Sequence, residues 1–532
     1  MGSQRISHST ILTRLNFSGR SNEQISAHHN GSRLFHRLPL AARFVRYSTN
    51  YYGRKLLMVA NVDQKHPLYT ANIDKWSAAR DAYSGQFAVK SKRDLYLPKT
   101  SAMIMDWNTD DKAGGFIGQN AYNAYLKRAR FPEFMRRAVA TFVGMLWQQA
   151  PTIELPERMK GILTRATPNG ESLALLMRRV NEEQLITGRC GLLADWPSVV
   201  TDDALPYISL YNAESIINWD ANEFQNGERS LNMVVLDESG YRRSNVFDWT
   251  KVSKYRALFL GDELDNENSG AYYQRIYSEA DDGSDALNET DIVPKNMGAR
   301  IEQIPFVFVN SSDIVAEPSD PPMMELVNAT FAAYRNDADY QQALFMQSQD
   351  TLIISGDVPA ADRDVPIRTG AGAVIRLEQG ASAQYIGVNS QGLPEQRQAV
   401  QAGYAFCAEL AGQLTGESVN IQSGKALQTR MAAQTASLKQ IALTCAAATE
   451  RVLKIIAEWV GANPAEVKVT ANTEFVLNDL SGQDLTQILT AKGLGAPLSQ
   501  ESIHDTMRRG GYTSLTYDEE MKKLGEESNN GI

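Results

Sequence analysis

The sequence predicts an α+β protein, and three features carry that expectation. Residues 425–460 hold neither Gly nor Pro between Gly424 and Gly461, and Leu427, Met431, Leu438, Ile441, Cys445, Val452, Ile455 and Trp459 recur there at steps of three, four or seven. That spacing keeps them on one helical face. Six short segments rich in β-branched or aromatic residues follow one another between residues 190 and 309, separated by turn residues. No helix of crossover length lies between them, so an antiparallel meander is expected. Finally, a hydrophobic content of 43% over 532 residues can bury a sizeable core, with about two to four domains as the prior.

Bulk composition excludes several classes. The three cysteines, Cys190, Cys407 and Cys445, lie far apart with no CxxC and no nearby histidine. Neither a disulfide framework nor a zinc site is expected, and a reducing compartment fits. No apolar run reaches the ~18 residues of a membrane helix, and no secretory signal core is present, so a soluble protein with no membrane partner is expected. Charge is unevenly placed. Residues 1–57 carry nine Lys or Arg against Glu23 alone, net +8; of the whole chain's 53 cations and 62 acids this leaves 44 and 61, net −17. An acidic body argues against gripping nucleic acid over a broad surface, because that affinity comes from cations displacing counterions from phosphates. It leaves room for a protein that lets DNA pass.

In chain order, residues 1–57 are rich in Ser, Arg and His without a clear apolar period. Three readings stay open for them: a disordered arm, a transit peptide, or an extension upstream of a start at Met58. Tyr69, Ile73, Trp76, Arg80 and Tyr83 then share one face of a helix that Gly85 ends, with His66 beside Pro67 opening it. Further amphipathic helices are predicted over 132–147 and 171–186, with a short extended piece from Thr152 to Leu155 between them. Strands are predicted at 190–195, 207–211, 232–236, 255–260, 272–277 and 304–309. The acidic loops 262–267 and 279–285 lack the ligand spacing of an EF-hand and read as solvated turns.

A rod-like helix is predicted from 320 to 349, with Asp320 as N-cap and Pro321 in its first turn. A small glycine-punctuated β insert follows, with strands at 351–354, 374–377 and 383–388. Next come a second rod (394–414), a small polar loop (415–424) and the long helix (425–460). The stretch from the second rod onward reads either as an αα-hairpin in a core or as part of a bundle, coiled coil or ring. Beyond it, strands at 467–470 and 474–477 and helices at 483–492 and 500–509 are predicted, with Ser499 or Gln500 opening the last and Gly510 and Gly511 closing it. A charged helix from Tyr517 runs into the tail.

Catalytic patterns are nearly absent. Ser423-Gly424-Lys425-Ala426 resembles the end of a phosphate-binding loop, but Val419 stands where the first Gly belongs and Ala426 where Ser or Thr would hold magnesium. There is no HExxH and no GxSxG. Beyond the N-terminal segment only His66 and His504 remain, and His504 reads as a solvated helical residue. Glu182 and Glu183, like Asp110 and Asp111, are adjacent rather than facing. No cofactor and no metal site is expected.

With these elements in this order, the chain resembles the portal proteins of tailed bacteriophages, and within them a family of portal-like phage proteins known mainly from sequence. The resemblance spans residues 66–526. It is carried by His66-Pro67 with Trp76 and Arg80; Phe142 to Trp147 before Ala150 to Ile153; Thr187 to Asp195; Ala213 to Trp219; Ile304-Pro305; Asn336 to Tyr340; and Leu498-Ser499, Arg509 to Gly511 and Thr516 to Glu520. None of these is a chemical signature; their joint order is the signal.

The resemblance implies portal architecture: an N-terminal extension (1–65), a wing (66–318), two stem helices (319–349 and 390–414) flanking a small clip (350–389), a tunnel loop (415–424), a long wing helix (425–461) and a crown with its tail (462–532). It also implies a ring, typically of twelve subunits, at one capsid vertex of a virion assembled in the host cytoplasm. DNA passes through its channel in packaging and ejection. Partners so implied are further copies of the chain, double-stranded DNA, the large terminase ATPase, a head–tail connector or adaptor, and the major capsid and scaffolding proteins. On that mapping Glu417, Ser418, Asn420, Gln422, Ser423 and Lys425 form the DNA-facing set, making weak polar contacts to phosphates; the alternative is a loop that only packs against neighbouring subunits. The rival readings are another head–tail connector or capsid ring component, and a carboxylate-based hydrolase.

Overall fold

The Gly- and Pro-free run folds as one helix, Gly424–Trp459, 36 residues long, or roughly 54 Å at 1.5 Å per residue. Leu438, Ile441, Cys445, Val452, Ile455 and Trp459, the members of the expected stripe whose side chains are described, are all buried. The computed structural model describes residues 62–110, 114–197, 205–223, 229–260, 270–279, 287–296, 299–348, 351–356, 377–386, 392–412, 424–473, 482–509, 512–513 and 515–529, all within the unit Leu56–Ile532. The expectations for residues 1–57, the acidic loops 262–267 and 280–285, and the strand at 474–477 therefore fall outside the described residues.

Two apolar cores form among the described residues, and the long helix runs through both. Its Leu438, Ile441 and Ala442 join a helical core with Met135, Val143, Phe331 and Tyr334. One turn further on, Cys445, Val452, Leu453, Ile456 and Trp459 join a second core with Trp76, Leu176, Val180 and the strands. The buried face is wider than the sequence stripe, because Ala446, Ala448, Leu453 and Ile456 are buried as well.

The first core is built from short helices. Pro67–Ser84 opens on His66, whose Nδ1 accepts from the Leu68 amide at 3.1 Å, and closes at Gly85. Phe134–Leu146 and Leu173–Ile186 lie within the expected spans, the latter capped by Ser172. The helix Ile117–Arg128 was not expected, since its alternation of Tyr, Asn and Ala gives a weak apolar period.

All strand pairs are antiparallel, but the strands divide between sheets rather than forming one meander. Strands β1 (Thr152–Glu154), β2 (Arg189–Asp195), β3 (Tyr207–Asn212), β4 (Ile216–Glu223) and β5 (Arg229–Asp237) are followed by the hairpin β6 (Gly240–Arg243) and β7 (Trp249–Val252). Then come β8 (Lys254–Leu260), β9 (Tyr272–Glu279), β10 (Leu287–Ile292), the short pair β11 (Lys295–Asn296) and β12 (Ala299–Arg300), and β13 (Phe306–Asn310). Five of them make a sheet in the order β10-β9-β8-β5-β4; three make another in the order β13-β2-β3. The second sheet closes only because β13, more than 100 residues downstream, returns to pair with β2, Val309 opposite Cys190.

The segment Thr187 to Asp195 is the hinge of this arrangement. Gly188 sits at φ +76, and a Cβ there would lie 2.7 Å from the Asp320 carbonyl oxygen. At Gly191 a Cβ would lie 2.1 Å from the tip of the Phe306 ring, so a larger residue there would have to push that buried ring aside. Asp195 ends β2 in an ion pair with Arg256 of β8 at 3.0 Å, which ties the two sheets together.

The rods follow. The first is Met324–Gln347 rather than 320–349, and Asp320 is not its cap. Pro321 and Pro322 form a turn ahead of the helix, with the Met324 amide donating to the Pro321 carbonyl at 3.1 Å. Asp320 instead pairs with Lys75 at 2.6 Å. After the rod, β14 (Thr351–Ser355) pairs with β15 (Ser382–Ile386); most of the strand expected at 374–377 lies outside the described residues. The second rod is Leu393–Leu410 and stops short of 414, because the Ala411 and Gly412 amides turn back onto the Cys407 and Glu409 carbonyls.

After the long helix, β16 (Lys468–Thr470) returns to pair with β1, Ile153 opposite Val469. Helices Gly482–Gly493, Gln500–Arg509 and Tyr517–Asn529 follow among the described residues. Ser499 caps the second of these through the Ser502 amide at 3.0 Å. Thr516 and Glu519 form a reciprocal capping box at the third, with the Thr516 amide donating to Glu519 at 2.9 Å. His504 is not solvated: only 8% exposed, it meets the Tyr517 ring edge-on at 5.6 Å.

Candidate functional site

The unit of interest is the succession rod, β-hairpin, rod, long helix, and its geometry depends on how each rod is held. The rods run antiparallel. Thr330 lies against Cys407 and Ala333 against Gly403, so positions advance on one rod as they retreat on the other, and the long Tyr404 side chain reaches Asp337. The approach is close but not crowded, since a Cβ at Gly403 would sit in ordinary van der Waals contact, 3.8 Å from the Ala333 methyl.

The first rod is clamped by polar contacts along one side. Asp337, fully buried, accepts from the Arg130 amide at 3.2 Å and from its guanidinium at 3.0 Å. Tyr125 donates to Asp339 at 2.6 Å and Arg128 to Gln342 at 2.5 Å. Asp337 and Asp339 both belong to the segment Asn336 to Tyr340 singled out in the sequence without a role; the role is to dock the rod. Burial, and then the nearby Asp337 charge, push the Tyr404 phenol up to about 12. Past Ala338 the rod leaves the core, and Leu344, Phe345 and Met346 are exposed near its end.

The long helix is seated through a buried polar chain. Gln184 donates to Thr444 on the long helix and to the Asn310 carbonyl of β13, both at 2.8 Å. Its own carbonyl accepts from Asn181 at 3.1 Å, and Asn181 accepts from Trp147 Nε1 at 3.0 Å. Further along, Gln440 donates to the Ser312 carbonyl at 2.7 Å. One amide thus ties the long helix to a helix and a sheet at once. Buried amides are costly to leave unmatched. Gln184→Leu is therefore expected to lower unfolding free energy by about 2–4 kcal/mol, read as a lower thermal midpoint, and Thr444→Val by about 1 kcal/mol.

Ahead of the rods, a stack of rings and a guanidinium holds the chain's entrance. His66 lies on Trp219 with ring centroids 4.1 Å apart and planes 20° apart. Arg189, fully buried, sits 4.4 Å from the centroids of both Trp219 and Phe308 and donates to the Ala316 carbonyl at 2.5 Å. Burial lowers its guanidinium to about 9, still above neutrality, so it keeps its charge between two aromatic faces. Burial and that charge both lower His66, which fits a neutral imidazole accepting from Leu68.

Of the sequence-derived DNA-facing set, Glu417, Ser418, Asn420, Gln422 and Ser423 lie outside the described residues. Lys425 lies in the first turn of the long helix, and its side chain is likewise outside them. The described ends of the loop are Gly412, beyond the second rod, and Gly424, at the start of the long helix. Sequence reasoning missed the clamp residues Arg130 and Tyr125 and the seat residues Gln184 and Asn181. Their signal is weak, because a single polar residue on an otherwise apolar face cannot be matched to its partner before the fold is known.

Catalytic groups do not converge among the described residues. No cluster of three metal-ligating side chains occurs there. The three cysteines are buried, with burial pushing the Cys190 and Cys407 thiols up and that of Cys445 to about 12, which makes them poor nucleophiles. No described helix is long and apolar enough to cross a membrane.

Residues 322–460 match the model of a family described as a domain of unknown function, DUF4055. The match starts two residues before the first rod and ends one residue after the long helix. No curated protein matches the chain. Among solved structures it is similar to a chain in the neck of a native gene transfer agent (GTA) particle computed with C12 symmetry, at 11% identity, TM-score 0.36, covering 70% of this chain and 89% of that one. A chain in the virion of the native gene transfer agent particle is similar at 11% identity and TM-score 0.37, over 73% of this chain and 91% of that one. A chain in the neck of the empty particle, computed with C6 symmetry, is similar at 11% identity and TM-score 0.36, over 73% and 92%. At these scores the similarity establishes neither fold nor function for this chain.

Proposed function

We propose that the protein is a portal subunit: a ring of copies at one vertex of a phage capsid, serving as the conduit for DNA in packaging and ejection. One observation carries the reading. A clamped antiparallel rod pair bears a small β-hairpin at one end, and at the other leads through residues 413–423 into a 36-residue helix that runs through both cores. That order matches what the sequence resemblance implies: stem, clip, stem, tunnel loop and long wing helix.

On this reading the protein acts by shape and charge rather than by bond chemistry. The rods line the passage, the rigid seat of the long helix transmits load from the loop to the wing, and the net −17 of the body keeps DNA from adhering. Ser418, Asn420, Gln422 and Ser423 offer weak polar contacts to a moving phosphate backbone, Lys425 offers the nearest positive charge, and Glu417 adds a like charge that keeps the contact weak. Force comes from a separate ATPase, the large terminase, which docks with the connector at the β14–β15 end. The protein's place is the virion.

Negative-stain microscopy of the purified protein tests the reading: rings with a central hole are expected. A monomer that persists at high concentration overturns it.

A further inference from the structure

We infer that the β6–β7 hairpin of one copy docks on the surface formed by residues 104–110 and 114–117 of the next copy around the ring. The inference rests on the ring proposed above and names the contact that closes it.

The hairpin is built to be covered. It stands as its own two-stranded sheet, Tyr241 opposite Lys251 and Arg243 opposite Trp249. Two strands alone are marginally stable in water. Yet the hairpin carries Tyr241, Val246, Phe247 and Trp249 in the open, Phe247 at 88% and Trp249 at 64% exposure. So dense an apolar tip marks an interaction site. The tip is also ordered in advance. The Ser244 amide donates to the Asp248 carbonyl at 2.9 Å, the Val246 amide to Asn245 Oδ1 at 2.6 Å, and Arg243 to the Asn245 carbonyl at 3.1 Å. Docking a pre-formed tip costs little ordering entropy.

A second apolar surface lies elsewhere on the same chain. Helix Ser101–Met105 and the start of helix Ile117–Arg128 are drawn together by the Gly118 amide donating to Asp106 and the Ile117 amide to Thr109, both at 2.9 Å. Ile104, Met105, Phe116 and Ile117 are all exposed there, Met105 at 82%. Charge is complementary. Hairpin residues 240–252 hold Arg242, Arg243 and Lys251 against Asp248, net +2; residues 101–110 with 114–118 hold Asp106 and Asp110, net −2, and Lys99, which lies over the Trp107 ring, is already paired with Asp94 at 2.6 Å.

Two different patches that fit each other on identical chains make a heterologous contact, and such contacts close into rings when the rotation permits. Double-stranded DNA is the less suited occupant for the hairpin. Its most exposed large apolar residue is Phe247, Asp248 stands beside it, and Arg243 is engaged with its own turn.

The test uses the buried state of all three native cysteines, which leaves introduced thiols as the reactive ones. Full-length Phe247→Cys/Met105→Cys is oxidised and run on a denaturing gel. A ladder of covalent multimers is expected, with dimers only from an equal mixture of the two single variants and none from either single variant alone. Rings seen by microscopy without such a ladder overturn the inference and leave the portal reading standing; an absence of rings in unmodified protein overturns the portal reading itself. In a second measurement, Asp106→Lys and Lys251→Glu each weaken assembly about two- to fivefold, and the double variant recovers it. Failure of recovery, or a hairpin that crosslinks to added double-stranded DNA in place of its neighbour, also overturns the contact.

Discussion

Arg80→Ala is expected to lower unfolding free energy by about 3–5 kcal/mol, the usual cost of stranding a partly buried charge. The guanidinium donates to both oxygens of Glu183, at 2.8 and 2.6 Å, and to both of Glu214, at 2.9 Å each. Burial alone would lower its pKa, but the two carboxylates outweigh burial and raise it. Removing Arg80 leaves two like charges facing each other where the first helix meets the helix Leu173–Ile186 and the turn before β4. Denaturant unfolding followed by circular dichroism reads the loss. The same substitution in a Glu183→Gln/Glu214→Gln background should cost far less, and Arg80→Lys should restore little, since an ammonium cannot fork to two carboxylates. A single variant as stable as the parent would show that the fork holds nothing.

On the portal reading, deleting residues 418–422 is expected to leave rings intact and to impair DNA packaging. The loop follows the second rod and precedes the long helix, both of which are held by contacts elsewhere: Cys407 against Thr330, and Thr444 against Gln184. Its removal should therefore spare assembly. Ring formation by microscopy and protection of packaged DNA from nuclease are the two readouts. Full packaging by rings that lack the loop would sink the assignment of Glu417, Ser418, Asn420, Gln422, Ser423 and Lys425 as the DNA-facing set.

How far the fold could be read beforehand varied with the kind of signal. The long helix was legible almost to the residue, because a 36-residue amphipathic period without Gly or Pro admits one structure. The positions of β2, β3, β5, β8, β9 and β13 were legible too, but β4, β6, β7, β10, β11 and β12 were not: Ala213 to Trp219 carried the family resemblance without being read as a strand, since the polar Asn218, Asp220 and Asn222 of β4 break the β-type composition. His504 was misjudged because burial of a lone histidine depends on a neighbour, Tyr517, that lies on a different helix. Asp320 was misjudged as a cap because the cue Asp-Pro fits both a helix start and a turn ahead of one.

For the candidate site the division is sharper. The succession of rods, insert, polar loop and long helix is written in periodicity and glycine placement, which are local properties of the chain. Pairings between distant residues are not local, and only the tertiary structure decided them. Asp337 with Arg130, Gln184 with Thr444 and Asn310, β13 with β2, and β16 with β1 all join positions far apart in the chain. The sequence determined that there would be rods and a long helix to hold. Which buried amide and carboxylate hold them was decided when folding brought polar groups out of water and left each needing a partner.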